Sequence, residues 1–259
     1  ESGSRQLYFD ALGSLRRCLS QDETVRKNVY EGAVTKCYQC SSSRPYVIEL
    51  LSRQLQRVVQ INETPPIEIN QCVKRHEPVG HLIMSLHRCV WSHMCRSEKV
   101  TSADSSISSS SSSTTSSSSS ASEIDGYVQK VTFLFSKLVK KIGATHPEDY
   151  DLESTTDYSG NNQASMHLRQ CAVSLLRSID ALLDWSFQIM DLKIRDQGNV
   201  EEEELVSVDS IRKLLLFRRT LLADAGAAFI PIKKNEFPAE KGGKKNPVGG
   251  KKSSSSTSS

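Results

Sequence analysis

Residues 7–32 read LYFDALGSLRRCLSQDETVRKNVYEG. Leu7, Ala11, Leu12, Leu15, Cys18 and Leu19 return at the three- and four-residue intervals of an α-helix, while Asp10, Ser14, Arg16 and Arg17 fall mostly on the opposite side. A stripe of that period buries one face of a helix and leaves the other wet, so the segment predicts a packed helix with Leu15 inside.

The same period recurs outward from this stretch. Val25, Val29, Ala33 and Val34 predict a second helix near residues 23–40. Ser43 and Pro45 open a third, with Val47, Leu50, Leu51, Leu55, Val58 and Val59 on its face and Thr64-Pro65-Pro66 as its stop. A short segment follows at residues 67–73. Pro78 then introduces Val79, Leu82, Ile83, Leu86 and Val90, proline at a helix first turn costing no hydrogen bond. Ser122 with Asp125 resembles a capping box ahead of a helix from Ile124 to Ile142, with Lys140 and Lys141 suiting its negative end and Gly143 placed as a C′ residue. A long helix is expected over 162–194, through Cys171, Leu175, Leu176, Ile179, Leu182, Leu183 and Phe187. The last is expected to begin near the acidic run Glu201–Glu204 and to pass through Ile211, Leu214, Leu215 and Leu222 toward Gly226. Strand-like alternation appears nowhere, and no repeat of fixed period is found. The fold class is therefore all-α: a helical bundle or an irregular α-solenoid fragment with a disordered Ser-rich insert. Leu15, Leu51, Leu86, Leu134, Leu176 and Leu215 are the expected core markers.

Composition sets the organisation. Of 259 residues, 101–122 are almost wholly Ser and Thr, and 231–259 are mostly Lys, Gly, Pro and Ser. Neither stretch has the apolar surface to offset a backbone ordering entropy of roughly 1–2 kcal/mol per residue. The expected division is a helical block at 1–100, a disordered insert at 101–122, a second helical block at 123–230 packing with the first as one domain, and a disordered basic tail or loop at 231–259. A start at Glu1 and an end in a Ser run suggest a window from a longer protein. No apolar run approaches the roughly 20 residues of a membrane span. Seven cysteines, an odd number spread along helix faces, suggest reduced thiols inside a cell. The net charge of +3 hides an asymmetry: residues 1–100 carry 14 Lys/Arg against 10 Asp/Glu, residues 101–230 carry 12 against 18, and the tail carries 7 against 2. A basic tail suits acidic partners, although most such runs are solvated linkers.

Chemistry-bearing patterns are sparse. Cys37 and Cys40 have a CxxC spacing, and Cys89, His93 and Cys95, with His81 and His87 nearby, supply further zinc-ligand types. Both groups lie in helical patterns and no second CxxC or HxxxH balances the first, so no metal site is assigned. Asp180 and Asp184 share a helix face, a spacing typical of a solvated stripe rather than an acid–base pair. Gly250-Lys251 lacks the preceding strand and the Ser/Thr of a phosphate loop, and no GxSxG elbow occurs. No catalytic residue and no cofactor is assigned, and no enzyme is expected.

The words YFDALGSLRRCLSQ at 8–21, Val25-Arg26 and Tyr30-Glu31-Gly32 resemble the Fanconi anaemia group I family. The resemblance continues collinearly through Pro45–Val59 with Pro65-Pro66, the helices at 82–94, 124–142 and 171–190, and Leu214–Gly226 before a Lys-rich loop. It implies a helical domain from the middle of a non-enzymatic nuclear scaffold for interstrand-crosslink repair. The implied partners are the Fanconi anaemia group D2 paralogue and duplex DNA, clamped by the pair. A lysine monoubiquitinated in that family matches no position here. Neither a membrane nor a small-molecule substrate is implied. An unrelated helical-repeat adaptor is the alternative reading.

On that reading Arg16, Arg17, Arg26 and Lys27, clustered on the first two helices, are candidate phosphate contacts, against the plainer reading of a solvated face. Where the family pattern has an acidic run, this chain has its Ser/Thr stretch. Ser120 and Ser122 each have an acidic residue three places on, Glu123 and Asp125, so they are candidate phosphorylation sites from which charge could spread backward along the run.

Overall fold

The structure, a computed structural model, describes residues 13–103, 118–152, 158, 160, 162–196 and 206–226. They are helical, with one isolated bridge between Val59 and Ile67 and no strand among the described residues. The helices are α1 (13–18), α2 (Glu23–Gln39), α3 (Arg44–Val58), α4 (Ile69–Lys74), α5 (Val79–Ala103), α6 (Ser118–Ile142), α7 (Gln163–Asp196) and α8 (Val208–Asp224). None of them is long and apolar enough to cross a membrane.

Local chemistry sets the ends. Asp22 caps α2 by accepting the Val25 amide at 3.0 Å, and Ser207 caps α8 by accepting that of Ser210 at 3.2 Å. Helix α8 thus starts at Val208, beyond the acidic run expected to begin it, which lies outside the described residues. Helix α3 ends at Val58, ahead of the prolines expected to stop it, because Val59 turns extended and pairs with Ile67. The Ser122 capping box does not form: α6 starts at Ser118, one turn earlier, so Ser122 and Asp125 are interior. Helix also reaches into both ends of the Ser/Thr stretch, α5 running to Ala103, while 104–117 lie outside the described residues, as do 227–259.

Helix α5 packs along α7 and is flanked by α2 and α3, while α6 and α8 pack on each other and on α7. A close approach is at Gly80, where an added Cβ would stand 2.6 Å from the Arg177 Cβ and 3.0 Å from the Ser178 amide nitrogen. Phe135 of α6 meets Trp185 of α7 edge-on at 5.4 Å, and Tyr150 meets Phe217 of α8 at 5.8 Å. Gly143 serves a close approach: a Cβ there would lie 3.1 Å from the Leu214 amide nitrogen and 3.2 Å from the Lys213 Cβ.

Leu51, Leu86 and Leu134 are buried as expected. Leu176 is only half-buried, and Leu15 and Leu215 are exposed, at 37% and 42%. The turn after the short α1 reaches the core through Leu19, leaving Leu15 outside, while Leu7, Ala11 and Leu12 lie outside the described residues. In α8 the buried line is Ile211, Leu214, Phe217 and Leu221, so Leu215 and Leu216 of the leucine run point away. Phe187 is likewise exposed on α7. Helix α2 buries Tyr30 and Cys37, its expected valines being only partly covered.

Candidate functional site

The four cations singled out from sequence part company. Arg16 is exposed, and Arg17 is exposed with its guanidinium donating to the Ser14 hydroxyl at 3.0 Å. Lys27 pairs with Glu23 one turn back on α2. Arg26 is drawn inward: its Nη1 donates to Glu77 Oε2 at 2.6 Å, and its Nε to the Gln21 carbonyl at 2.8 Å.

Glu77 is the centre of a buried knot. Its Oε1 accepts the Tyr30 hydroxyl at 2.6 Å, and its Oε2 also accepts Gln54 Nε2 at 2.9 Å. Helices α2 and α3 are thereby tied to the turn ahead of α5. The turn is built for this purpose: the Glu77 amide donates to the Cys72 carbonyl, the His76 amide donates to that of Val73, and His76 takes the left-handed conformation at φ 53°. This is the Schellman closure of α4, with histidine where glycine is usual. Burial, reinforced by the Glu77 charge, pushes the Tyr30 phenol far up, so it remains a donor.

A second polar cluster was not read from sequence. Asn70 Nδ2 donates to Asp151 Oδ2 at 2.6 Å, while Asn70 Oδ1 lies 3.2 Å from both His167 Nε2 and Cys171 Sγ. His167 and Cys171 are one turn apart on α7, with Sγ 3.6 Å from Nε2. The residue types are those of a cysteine–histidine nucleophile, but the geometry is not. A relay needs the base to meet the nucleophile with one ring nitrogen and its orienting group with the other. Here Nε2 faces both, and burial pushes the Cys171 thiol up to about 11. The cluster joins α4 to α7 and the loop after α6. Its one sequence signal was the i, i+4 spacing of His167 and Cys171.

The cysteine and histidine candidates disperse. Cys37 faces Cys89, whose thiol is pushed up by the hydrogen bond to Cys37 and by burial. Cys40 turns away to the α2 C-cap, where the Ser42 and Ser43 hydroxyls bring its thiol down to about 7. His87 meets Gln188 Oε1 at 2.8 Å, and His93 meets Asp125 Oδ1 at 3.1 Å. Among the described residues no three His, Cys, Asp or Glu side chains are gathered to hold a metal. Asp180 accepts Arg218 Nε at 2.6 Å, tying α7 to α8, while Asp184 is exposed. Ser120 falls in the first turn of α6 and Ser122 just beyond it.

A family model described as FANCI helical domain 2 matches residues 1–216. The Fanconi anemia group I protein of Gallus gallus is 22% identical over 195 residues, and its Mus musculus homolog 21% over 190. Each alignment covers 70% of this chain and 13% of the relative, so the chain spans a small part of the length of the curated proteins it matches. A helical-domain model matched across most of the chain, on a molecule whose described residues build only helices, leaves no room for an unrelated adaptor: the chain belongs to the FANCI helical domain 2 family.

Proposed function

We propose that this chain is a non-enzymatic scaffold segment of a nuclear interstrand-crosslink repair protein. In this reading it helps its protein pair with a Fanconi anaemia group D2 paralogue and close on duplex DNA, with the lock set by monoubiquitination at a lysine not identified here. The observation that carries the reading is the family match across residues 1–216. The site chemistry agrees with a scaffold: the knots at Glu77 and Asn70 join helices and offer no paired nucleophile and base.

Within this reading Arg16 and Arg17 are the phosphate contacts, because Glu77 takes up Arg26 and Glu23 engages Lys27. Phosphorylation of Ser120 and Ser122 restores negative charge to the Ser/Thr stretch, each phosphate adding about −1.5 to −2. Because α6 begins at Ser118, Ser120 is the better placed to favour the helix N-terminus, an effect confined to the first turn.

Co-purification of the full-length protein with a group D2 paralogue tests the pairing, and failure to co-purify would refute it. In that complex, charge reversal at Arg16 and Arg17 is expected to weaken duplex binding and flatten its salt dependence by about 0.9 per lost phosphate contact. Unchanged affinity and slope would make them a solvated face. Mass spectrometry after crosslink damage, with and without acidophilic-kinase inhibition, tests the serines: no phosphate between Ser105 and Ser122 removes that element.

A further inference from the structure

We propose that Asn70 Oδ1, His167 Nε2 and Cys171 Sγ bind one zinc ion, as the three protein ligands of a tetrahedral site whose fourth position holds water. The ion clamps α4 to α7, and the proposal rests on neither the paralogue nor DNA.

His167 and Cys171 share one face of α7 at the i, i+4 spacing by which a helix chelates a metal with two side chains. Their Nε2 and Sγ lie 3.6 Å apart, and Asn70 Oδ1 lies 3.2 Å from each. Zinc bonds of about 2.1 Å to nitrogen or oxygen and about 2.3 Å to sulfur, set at the tetrahedral angle, separate the ligand atoms by about 3.4–3.6 Å. The three atoms therefore stand within about 0.4 Å of one face of a zinc tetrahedron. Hydrogen bonding explains less. The thiol and the imidazole Nε2 bring at most two protons to three edges, so in either tautomer at least one edge has no proton, whereas one cation accounts for all three. The third ligand is an amide oxygen, which is why no trio of His, Cys, Asp and Glu marks the place among the described residues.

Asp151 supports the site from behind. Its Oδ2 accepts Asn70 Nδ2 at 2.6 Å, which turns Oδ1 toward His167 and Cys171. Its charge also offsets the single positive charge left when a thiolate meets Zn2+. Burial and the Asp151 charge push the Cys171 thiol up to about 11, so without a cation it stays protonated. As the Zn–S bond forms, the S–H proton passes to solvent. Asn70 and His167 are half-buried, which leaves a path for the ion and room for its water. Thiolate with imidazole favours zinc over magnesium or calcium, which take oxygen ligands.

Titration of the reduced 259-residue chain with cobalt(II), a spectroscopic stand-in for zinc, tests the proposal. One equivalent should give the d–d bands of a tetrahedral site and a thiolate-to-cobalt charge-transfer band, and one equivalent of zinc should abolish both. Cys171→Ser should remove the charge-transfer band. His167→Gln should weaken zinc by about tenfold or more in competition with a chromophoric chelator, since loss of a mere supporting group costs that much. Its circular dichroism and metal-free melting should match those of the unaltered chain. Asn70→Asp separates a ligand from a strut. A carboxylate ligand should tighten zinc binding, whereas a hydrogen-bonding link would lose its donor to Asp151 and lower the melting temperature with zinc affinity unchanged. No charge-transfer band in the unaltered chain overturns the proposal, as does a band that survives Cys171→Ser and so belongs to other cysteines. Should Cys171→Ser fail to fold, zinc affinity unchanged in both His167→Gln and Asn70→Asp overturns it. Neither the paralogue nor DNA is present in the assay, so no result bears on the pairing.

Discussion

Two junctions around α5 hold the helices by opposite means. At Gly80 the absence of a side chain on α5 makes room for the Arg177 Cβ and the backbone of α7, and the contact depends on shape. Immediately before α5, Glu77 gathers Arg26, Tyr30 and Gln54 from α2 and α3, and that contact depends on both carboxylate oxygens having donors. The close crossing tolerates any sequence that leaves room. The polar knot tolerates few changes, because each member leaves the others buried and unsatisfied when it is removed.

That contrast yields an order of effects. Glu77→Ala strands the Arg26 guanidinium and should cost about 3–5 kcal/mol, the usual penalty for breaking a buried pair from one side. Urea unfolding will measure it, and a loss under about 1 kcal/mol would reclassify the knot as an ordinary surface pair. Gly80→Ala should cost about 1–3 kcal/mol, because the obstacle is Arg177 backbone and Cβ rather than a movable side-chain end. If Gly80→Ala proves the more damaging, shape outweighs polarity at this end of α5. Tyr30→Phe, which removes one donor and leaves the ion pair, should cost about 1–2 kcal/mol in the same assay.

A pH titration sharpens the comparison from the side of α5 facing α7. Burial lowers the His87 pKa below its ordinary 6.5, so the unfolded chain takes up a proton more readily than the folded one. Its contribution to stability is therefore complete above pH 6.5 and lost as the pH falls from there toward the folded value. His87→Gln should flatten the loss of melting temperature below that pH, and an unchanged acid limb would assign it elsewhere. The smallest effect is expected at His76. Glycine there removes left-handed strain of about 1–2 kcal/mol but adds unfolded-chain entropy of about 0.5–1 kcal/mol. His76→Gly should thus stabilise by about 0.5 kcal/mol, the difference between those terms, read as a small rise in urea midpoint.

The same contrast explains what could be read in advance. Apolar period 3.6 located α2, α3 and α7 to within a few residues, since each must bury one stripe whatever it packs against, and it found the start of α5 and the end of α6 while missing their extensions into the Ser/Thr stretch. It misplaced Leu15, Leu215 and Phe187, because a run such as Leu214-Leu215-Leu216 fits several stripes and only the neighbouring helix selects one. The four basic residues of α1 and α2 looked equivalent in sequence. Arg26 differs from Arg16 because a carboxylate 51 residues away reaches it. The knot around Asn70 was equally hidden, its Asn70–His167 contact linking residues 97 apart.

Sequence alone determined that this chain is helical and to which family it belongs, because both are carried by local patterns of side chains that survive without knowledge of any partner. Tertiary structure alone decided which charges are spent inside and which face solvent. The pairings of Arg26 with Glu77 and of Arg218 with Asp180 depend on distances between separate elements, and electrostatic energy is a function of those distances and of burial.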